Sequence, residues 1–393
     1  MDAYLLEWAS MLVRWLHVIT AIAWIGASFY FVWLDNHLVP PNPSKKGVSG
    51  EIWSVHGGGF YNKQKYLVAP DQLPEKLHWF KWEAYWTFIS GFALLVLVYY
   101  CNAGAYLVDK SVADITPAAA IGISLAVILS GFAVYEGLCR SPLAKNGTAF
   151  ALVGFSLVVV LAWAMSHVFG GRGAYMQVGA VLGTIMAANV LMIIIPGQRK
   201  MIASMLEGAV PDAIHGIRGK QRSMHNNYMT LPVLFIMLSN HYPMTYGHRY
   251  GWAVLAVVVI ASVMIRHFFN LHHKGKVVLA LPVGAVALFI LLGVAMAPKA
   301  PEGGGEKVAF AAVKAVIDSR CISCHAAKPT QPGFAAPPAG VALETPEQIR
   351  AQAQRIHQQV VVARVMPLGN LTGISDAERA LVGRWFAQGA KTD

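Results

Sequence analysis

Residues 149–168 read Ala149-Phe-Ala-Leu-Val-Gly-Phe-Ser-Leu-Val-Val-Val-Leu-Ala-Trp-Ala-Met-Ser-His-Val168, a run with no formally charged side chain. A helix rises about 1.5 Å per residue, so about 20 such residues cover roughly the 30 Å of a bilayer's hydrocarbon. This stretch reads as a transmembrane helix and decides the class of the chain. Outward from it, seven further stretches have the same character, at 10–34, 84–107, 117–138, 174–196, 226–243, 250–270 and 277–297. The expected fold is all-α, a polytopic bundle of about eight transmembrane helices. The stretch at 226–243 is the weakest, short and carrying Pro232 and Asn240, which leaves seven spans as the alternative. Composition agrees: 56% of the 393 residues are hydrophobic and 13% charged, against about a quarter charged in soluble proteins. An ordinary soluble domain and a disordered chain are excluded, and four cysteines are too few for a disulfide scaffold.

The net charge of +11 alone would fit nucleic acid, anionic lipid or basic cytoplasmic loops. Its placement decides. In the eight-span reading, alternate loops hold fifteen Lys/Arg (from Lys45 and Lys46 through Arg140, Arg199 and Arg222 to Lys276), while the intervening loops hold only Lys110, Arg172 and Arg249. The positive-inside rule puts both termini outside the cytoplasm and leaves nothing for nucleic acid to explain. Asp2 and Glu7 precede the first span without a basic leader, so it reads as a retained span and not as a cleaved signal peptide. No Walker, Rossmann or zincin motif and no 20-to-50-residue repeat is present. The first loop, 35–83, is dense in aromatic residues and lysines and reads as a folded cytoplasmic element.

The stretch from Pro298 to Glu306, Pro-Lys-Ala-Pro-Glu-Gly-Gly-Gly-Glu, cannot continue a helix. It divides a membrane domain, 1–297, from a polar C-terminal domain, 307–393. In the latter, Cys321-Ile-Ser-Cys-His325 is a C-x-x-C-H sequence, the attachment signature of a c-type haem. Cys321 and Cys324 would add across the vinyl groups, with His325 as proximal iron ligand. An amphipathic run, Lys307 to Arg320, precedes the motif, and Met366-Pro367 follows at a distance suited to a distal Met ligand. His357 is a competing ligand. Ser375 and Glu378 form a capping box ahead of a last amphipathic helix. The C-terminal domain is thus expected to be a class I-like cytochrome c. Covalent haem is attached outside the bacterial cytoplasm, the side on which the charge count places this domain.

Ionisable residues within membrane spans are costly and usually functional. His17, His167 and His241 fall toward the outer side, and His225 and His267 toward the cytoplasmic side. They are the ligands on offer for one or two b-type haems. His17 leads, with Gly26 as a small residue beside which a macrocycle could lie. His225 and His241 sit about 24 Å apart along one helix and cannot share an iron. His272-His273 reads as a solvated loop.

The sequence resembles the membrane-bound, cytochrome-c-type urate oxidases, or urate hydroxylases, of bacterial purine degradation. The resemblance rests on Arg14-Trp-Leu-His-Val-Ile-Thr-Ala-Ile-Ala-Trp-Ile-Gly26, Leu77-His-Trp-Phe-Lys-Trp-Glu-Ala-Tyr-Trp86, Ile195-Pro-Gly-Gln-Arg-Lys200, His225-Asn-Asn-Tyr-Met-Thr-Leu-Pro-Val-Leu-Phe235, Ser239-Asn-His-Tyr-Pro243 and the C-x-x-C-H domain. It implies oxidation of urate with water to 5-hydroxyisourate, with electrons passing to haem c and the respiratory chain without hydrogen peroxide. The partners implied are membrane lipid and an acceptor such as soluble cytochrome c or a terminal oxidase, and the location is the bacterial inner membrane with the cytochrome in the periplasm. A urate site wants aromatic faces, cationic or amide donors and a base. On those grounds Lys63, Lys81, Glu83, Arg199, Asn226 and Asn227 are candidates, and solvated loop charge is the plain alternative for each lysine. Substrate entry from the cytoplasm would require an intramembrane electron relay; binding on the periplasmic face would not. The rival functions are a non-enzymatic haem conduit between a quinol dehydrogenase and a soluble cytochrome, and a copper-haem oxidase subunit, which the scatter of histidines disfavours.

Overall fold

The computed structural model describes residues 3–297 and 306–392. Positions 298–305, most of the expected linker, lie outside the described residues. Helices cover all eight apolar stretches: α1 Ala3–His37, α2 Trp82–Tyr100, α3 Pro117–Arg140, α4 Gly147–Ser166, α5 Gly171–Leu206, α6 Ala213–Ser239, α7 Gly251–His272 and α8 Ala280–Ala295. Among the described residues six of these, α1 to α5 and α7, are long and apolar enough to cross a membrane. α6 carries Arg218, Lys220 and Arg222, and α8 has 16 residues. Large apolar side chains face outward along the helices, with Leu129 70%, Leu152 63% and Val294 71% exposed. Surfaces of that kind suit lipid and not water.

Local sequence sets the ends. Thr116 caps α3 by accepting from Ala119 N, ahead of Pro117, and Asn146 and Asp212 cap α4 and α6 in the same manner. In α5, Pro196 has no N–H to give, and the helix widens into a π turn over Asn189–Ile194 just before it. α5 is the most buried span. Close approach around it depends on small residues: a Cβ at Gly131 would meet Val181 at 2.6 Å, and one at Gly179 would meet Ile236 at 2.7 Å.

Two expectations need revision. The all-α expectation gives way at the first loop, whose expected folded element is a hairpin: β1 Val48–His56 pairs antiparallel with β2 Gly59–Tyr66, so the chain is mostly but not purely α. Gly57 and Gly58 supply the two positive φ angles, +57° and +80°, that a two-residue hairpin turn demands. Secondly, α6 begins at Ala213, well before the expected apolar start. Arg222, counted as a loop charge, is therefore buried at 4% exposure inside the bundle.

After α8 the chain resumes in a C-terminal unit with α9 Phe310–Arg320, the short turn α10 Ile322–His325, α11 Pro346–Ala351, α12 Ala353–Ile356 and α13 Asp376–Ala387. Its own core gathers Val313, Ile317, Ile349, Val360, Val382 and Trp385. The Ser375–Glu378 capping box is present. This unit lies against the loops that follow α2 and α6, and faces the loop after α4 across a cavity; these are the loops poor in Lys and Arg. Gly369, at φ +56°, sits so close to the carbonyls of Val108 and Ala105 that a Cβ would come within 2.6 and 3.1 Å of them.

Candidate functional site

Three polar regions stand out along the bundle. The first is at the end of α6 remote from the C-terminal unit, where a hydrogen-bonded lattice joins α3, α5 and α6. Arg222 Nη2 lies 2.8 Å from Glu136 Oε2, and the guanidinium sits 5.1 Å from the Tyr135 ring centre. The Glu136 contact compensates charge without being an aligned hydrogen bond. Asn189, placed by the π turn, donates through Nδ2 to Tyr135 Oη at 2.9 Å and to Asn226 Oδ1 at 2.8 Å. Asn226 Nδ2 in turn donates to Met186 O at 2.9 Å. His225 faces Tyr135 Oη at 2.9 Å through Nδ1 and stacks on Phe150 at 4.5 Å.

The second region adjoins the first, on the other side of α6. Asn227 Oδ1 accepts from Arg266 Nε at 2.9 Å and from Asn270 Nδ2 at 3.0 Å. Arg266 is 5% exposed, Asn227 0% and Asn270 5%. The Arg266 guanidinium lies 3.9 Å from the ring centre of Phe29 on α1. No carboxylate faces Arg266 among the described residues. Three buried atoms of this trio lack a partner: Asn227 Nδ2, Arg266 Nη2 and Asn270 Oδ1. Such groups cost about 1–3 kcal/mol each if nothing meets them, and more when charged. Two donors, one acceptor and an unbalanced cation are the groups that a planar, hydrogen-bonding anion would satisfy. At its edge Tyr228 Oη and His267 Nδ1 are 2.7 Å apart.

The third region faces the C-terminal unit. A cavity of about 640 Å³ opens between that unit and the bundle, lined by Arg172, Arg249, Arg364, Tyr106, Trp163 and Met366 among others. Arg172 Nε donates to Asn240 Oδ1 at 2.9 Å, and its guanidinium stacks on Tyr106 at 4.7 Å.

Within the C-terminal unit, Cys321 and Cys324 are not disulfide-bonded. Burial pushes the Cys321 thiol up to about 12 and raises Cys324 too, so both stay protonated at neutral pH. His325 Nδ1 is 2.8 Å from Val341 O. As a donor it leaves Nε2 free and fixes the ring. Met366 and Cys321 pack on the same apolar cluster. Arg379 Nη1 donates to the carbonyls of Met366 at 2.7 Å and Val360 at 2.5 Å, holding the Met366 segment. His357 stacks on Phe386 at 4.2 Å.

The residues expected from sequence do not assemble into one site. Asn226 and Asn227 occupy the two adjoining polar regions. Lys63 bonds Ser54 on the hairpin and lies over Tyr30 and Tyr61. Lys81 lies over Trp79 and Trp82, Glu83 is half-buried in the first turn of α2, and Arg199 is exposed. Of the histidines, His225 and His267 are engaged by tyrosines, and His167 Nδ1 bonds Trp163 O on its own helix at 2.8 Å. His17 and His241 line one apolar cavity. Gly26 meets nothing within 4 Å; Gly91 is the glycine against His17. Among the described residues no three of His, Cys, Asp and Glu gather to hold a metal ion. Arg266, Asn270, Asn189 and Glu136 were missed. Arg266 is the lone charge in 250–270 and Glu136 the lone charge in 117–138, so the rule that marked the histidines also marks them.

Six long apolar helices are compatible with an integral membrane protein, and the bundle encloses a buried arginine–asparagine trio with unpaired polar atoms. The model of the urate oxidase N-terminal family matches residues 3–297, and the chain belongs to that family. It is accordingly a urate-related oxidoreductase. Comparison with curated proteins and with solved structures gives no match.

Proposed function

We propose that the protein is an integral membrane oxidoreductase that oxidises urate with water to 5-hydroxyisourate and passes the electrons to a haem held covalently by its C-terminal domain. Per turnover one urate monoanion and one water give one neutral 5-hydroxyisourate, two electrons and one proton. The observation that carries the substrate site is the unbalanced Arg266 guanidinium beside unpaired Asn227 and Asn270 atoms. Urate is a planar monoanion at neutral pH. Its charge answers Arg266, a carbonyl oxygen answers the free Arg266 Nη2 and Asn227 Nδ2, and a ring N–H answers Asn270 Oδ1. Exclusion of water by Phe29 and the surrounding helices strengthens each contact. The Tyr228–His267 pair at the edge of the trio is the proton acceptor.

The residues of the C-terminal unit fit a c-type haem. Two protonated, unbridged thiols flank a histidine whose Nδ1 is engaged, and Met366 shares their apolar cluster. Cys321, Cys324, His325 and Met366 would hold the group, the two thiols by covalent bonds and the imidazole and thioether as donors to its iron, and it would supply one-electron acceptance. The proposed setting is eight crossings of the inner membrane with this domain in the periplasm, delivering electrons to a soluble cytochrome or a terminal oxidase.

A second location for the substrate is the outer cavity, favoured by its three arginines beside Met366. Paired substitutions separate the two. Arg266→Gln raises the KM for urate at least tenfold if the inner trio binds it, with Arg249→Gln/Arg364→Gln near wild type; the reverse pattern moves the substrate outward.

A further inference from the structure

Between α1, α2, α5 and α6 lies an apolar cavity of about 340 Å³. Two histidines line it: His17 of α1, set against Thr87 and Gly91 of α2, and His241 just past the end of α6. His17 is oriented from behind. Its Nδ1 is 3.0 Å from Thr87 O and 3.1 Å from Ser90 Oγ on α2. Its ring lies so close to Gly91 that a Cβ there would come within 2.9 Å of Cε1. An imidazole whose Nδ1 donates to a carbonyl presents Nε2 as a fixed, basic ligand. Among the described residues the His241 ring has no hydrogen-bond partner. On the α5 wall, Gly183 has open space where a Cβ would stand, which leaves flat backbone facing the cavity. At the outer rim are two cations. Arg14 forms no ion pair among the described residues, and Arg172 bonds only through Nε, leaving both Nη groups to spare.

We infer that this cavity binds a non-covalent haem, with His17 and His241 as axial ligands and Arg14 and Arg172 facing its two propionates. Two free imidazole nitrogens, an apolar slot and paired cations at one rim match an amphiphilic iron macrocycle point for point. A quinone would use neither the second histidine nor the two arginines. The position has a further consequence. Arg172 and Asn240 also line the outer cavity that contains Met366, while Met186 and Thr230, at the other end, bond Asn226 of the inner lattice. From Asn226 to Asn240 α6 covers roughly 21 Å, a gap this site divides. The assignment concerns binding and stands whether or not urate is the electron donor.

The test uses purified full-length protein. Pyridine haemochrome analysis after acid-acetone extraction should find one extractable b-type haem and one retained c-type haem per chain. Where extraction from the membrane has stripped the former, hemin titration should restore a low-spin Soret band at one equivalent. His17→Leu and His241→Leu should each abolish the extractable haem and its share of the low-spin spectrum while the covalent haem keeps its own bands, with an unchanged gel-filtration profile reporting that the chain has folded. His17→Gly should recover the low-spin spectrum on addition of imidazole. A single covalent haem with no hemin uptake, an extract holding quinone in place of haem, or full b-haem occupancy in both leucine variants would overturn the assignment.

Discussion

Arg222 on α6 and Arg266 on α7 are both buried guanidiniums at the same end of the bundle, and they differ in what faces them. Arg222 meets Glu136 at 2.8 Å and the Tyr135 ring, and the lattice around it closes through Asn189 and Asn226. Arg266 meets an aromatic face and one amide oxygen, and its neighbours keep three atoms unpaired. A buried charge without a counter-charge is expensive, so it persists where a ligand supplies the balance. The contrast separates a residue that ties helices together from one that awaits an anion.

The largest effect should come from breaking the compensated pair. Arg222→Met takes away the buried partner of Glu136, leaving the half-buried carboxylate only the exposed Arg140 at 2.8 Å, and loss of one partner of a buried pair costs up to about 3–5 kcal/mol. A sharp drop in the detergent-solubilised unfolding temperature is expected, with much of it restored in Arg222→Met/Glu136→Leu. Equal loss in the single and double variants would show that the pair is not the source. Arg266→Gln should behave in the opposite manner, leaving stability unchanged or raised. It removes a charged hydrogen bond of about 1.5–3 kcal/mol, so kcat/KM for urate should fall roughly 10- to 150-fold. If instead thermal stability collapses, Arg266 belongs with Arg222. Asn270→Ala takes away one neutral contact, about 1 kcal/mol, and should raise KM roughly fivefold with kcat little changed.

The smallest effect lies outside the bundle, where charge is solvated. The backbone N–H of Ser375 holds the Glu378 carboxyl below the usual carboxylate range, helped by the Ser375 side chain and Arg320. A carboxyl depressed in the folded state stabilises it above the unfolded value near 4.3, and that contribution disappears as pH falls through the lower folded value. Glu378→Gln should therefore weaken the C-terminal domain slightly at neutral pH and flatten its acid limb below about pH 4.3, as read by near-ultraviolet circular dichroism.

Apolar length alone locates the six helices long enough to cross a membrane, because hydrocarbon thickness imposes it residue by residue. The C-x-x-C-H motif is equally legible, since its chemistry is contiguous. What escaped is what only tertiary packing creates. Arg222 stands in a polar stretch, Arg218 to Arg222, that reads as loop charge until Glu136 is brought against it from α3. Asn189 looks like an incidental amide in an apolar span, yet the widening ahead of Pro196 turns it toward Asn226. The hairpin could have been read more fully: Gly57-Gly58 between alternating aromatic and β-branched residues is a two-residue turn signal. Among the histidines, sequence position put His17 first of five, and the structure adds that His17 and His241 line one cavity.

The central claim, that urate bound at the unbalanced arginine gives its electrons to the C-terminal domain, is tested most directly by mixing oxidised protein with urate under anaerobic conditions and following haem absorbance. The account predicts reduction of the c-type bands within the turnover time in the wild type, and reduction slowed at least tenfold in Arg266→Gln at the same subsaturating urate concentration. A c-type haem that dithionite or a quinol reduces while urate leaves it oxidised would contradict the account and favour an electron conduit in its place.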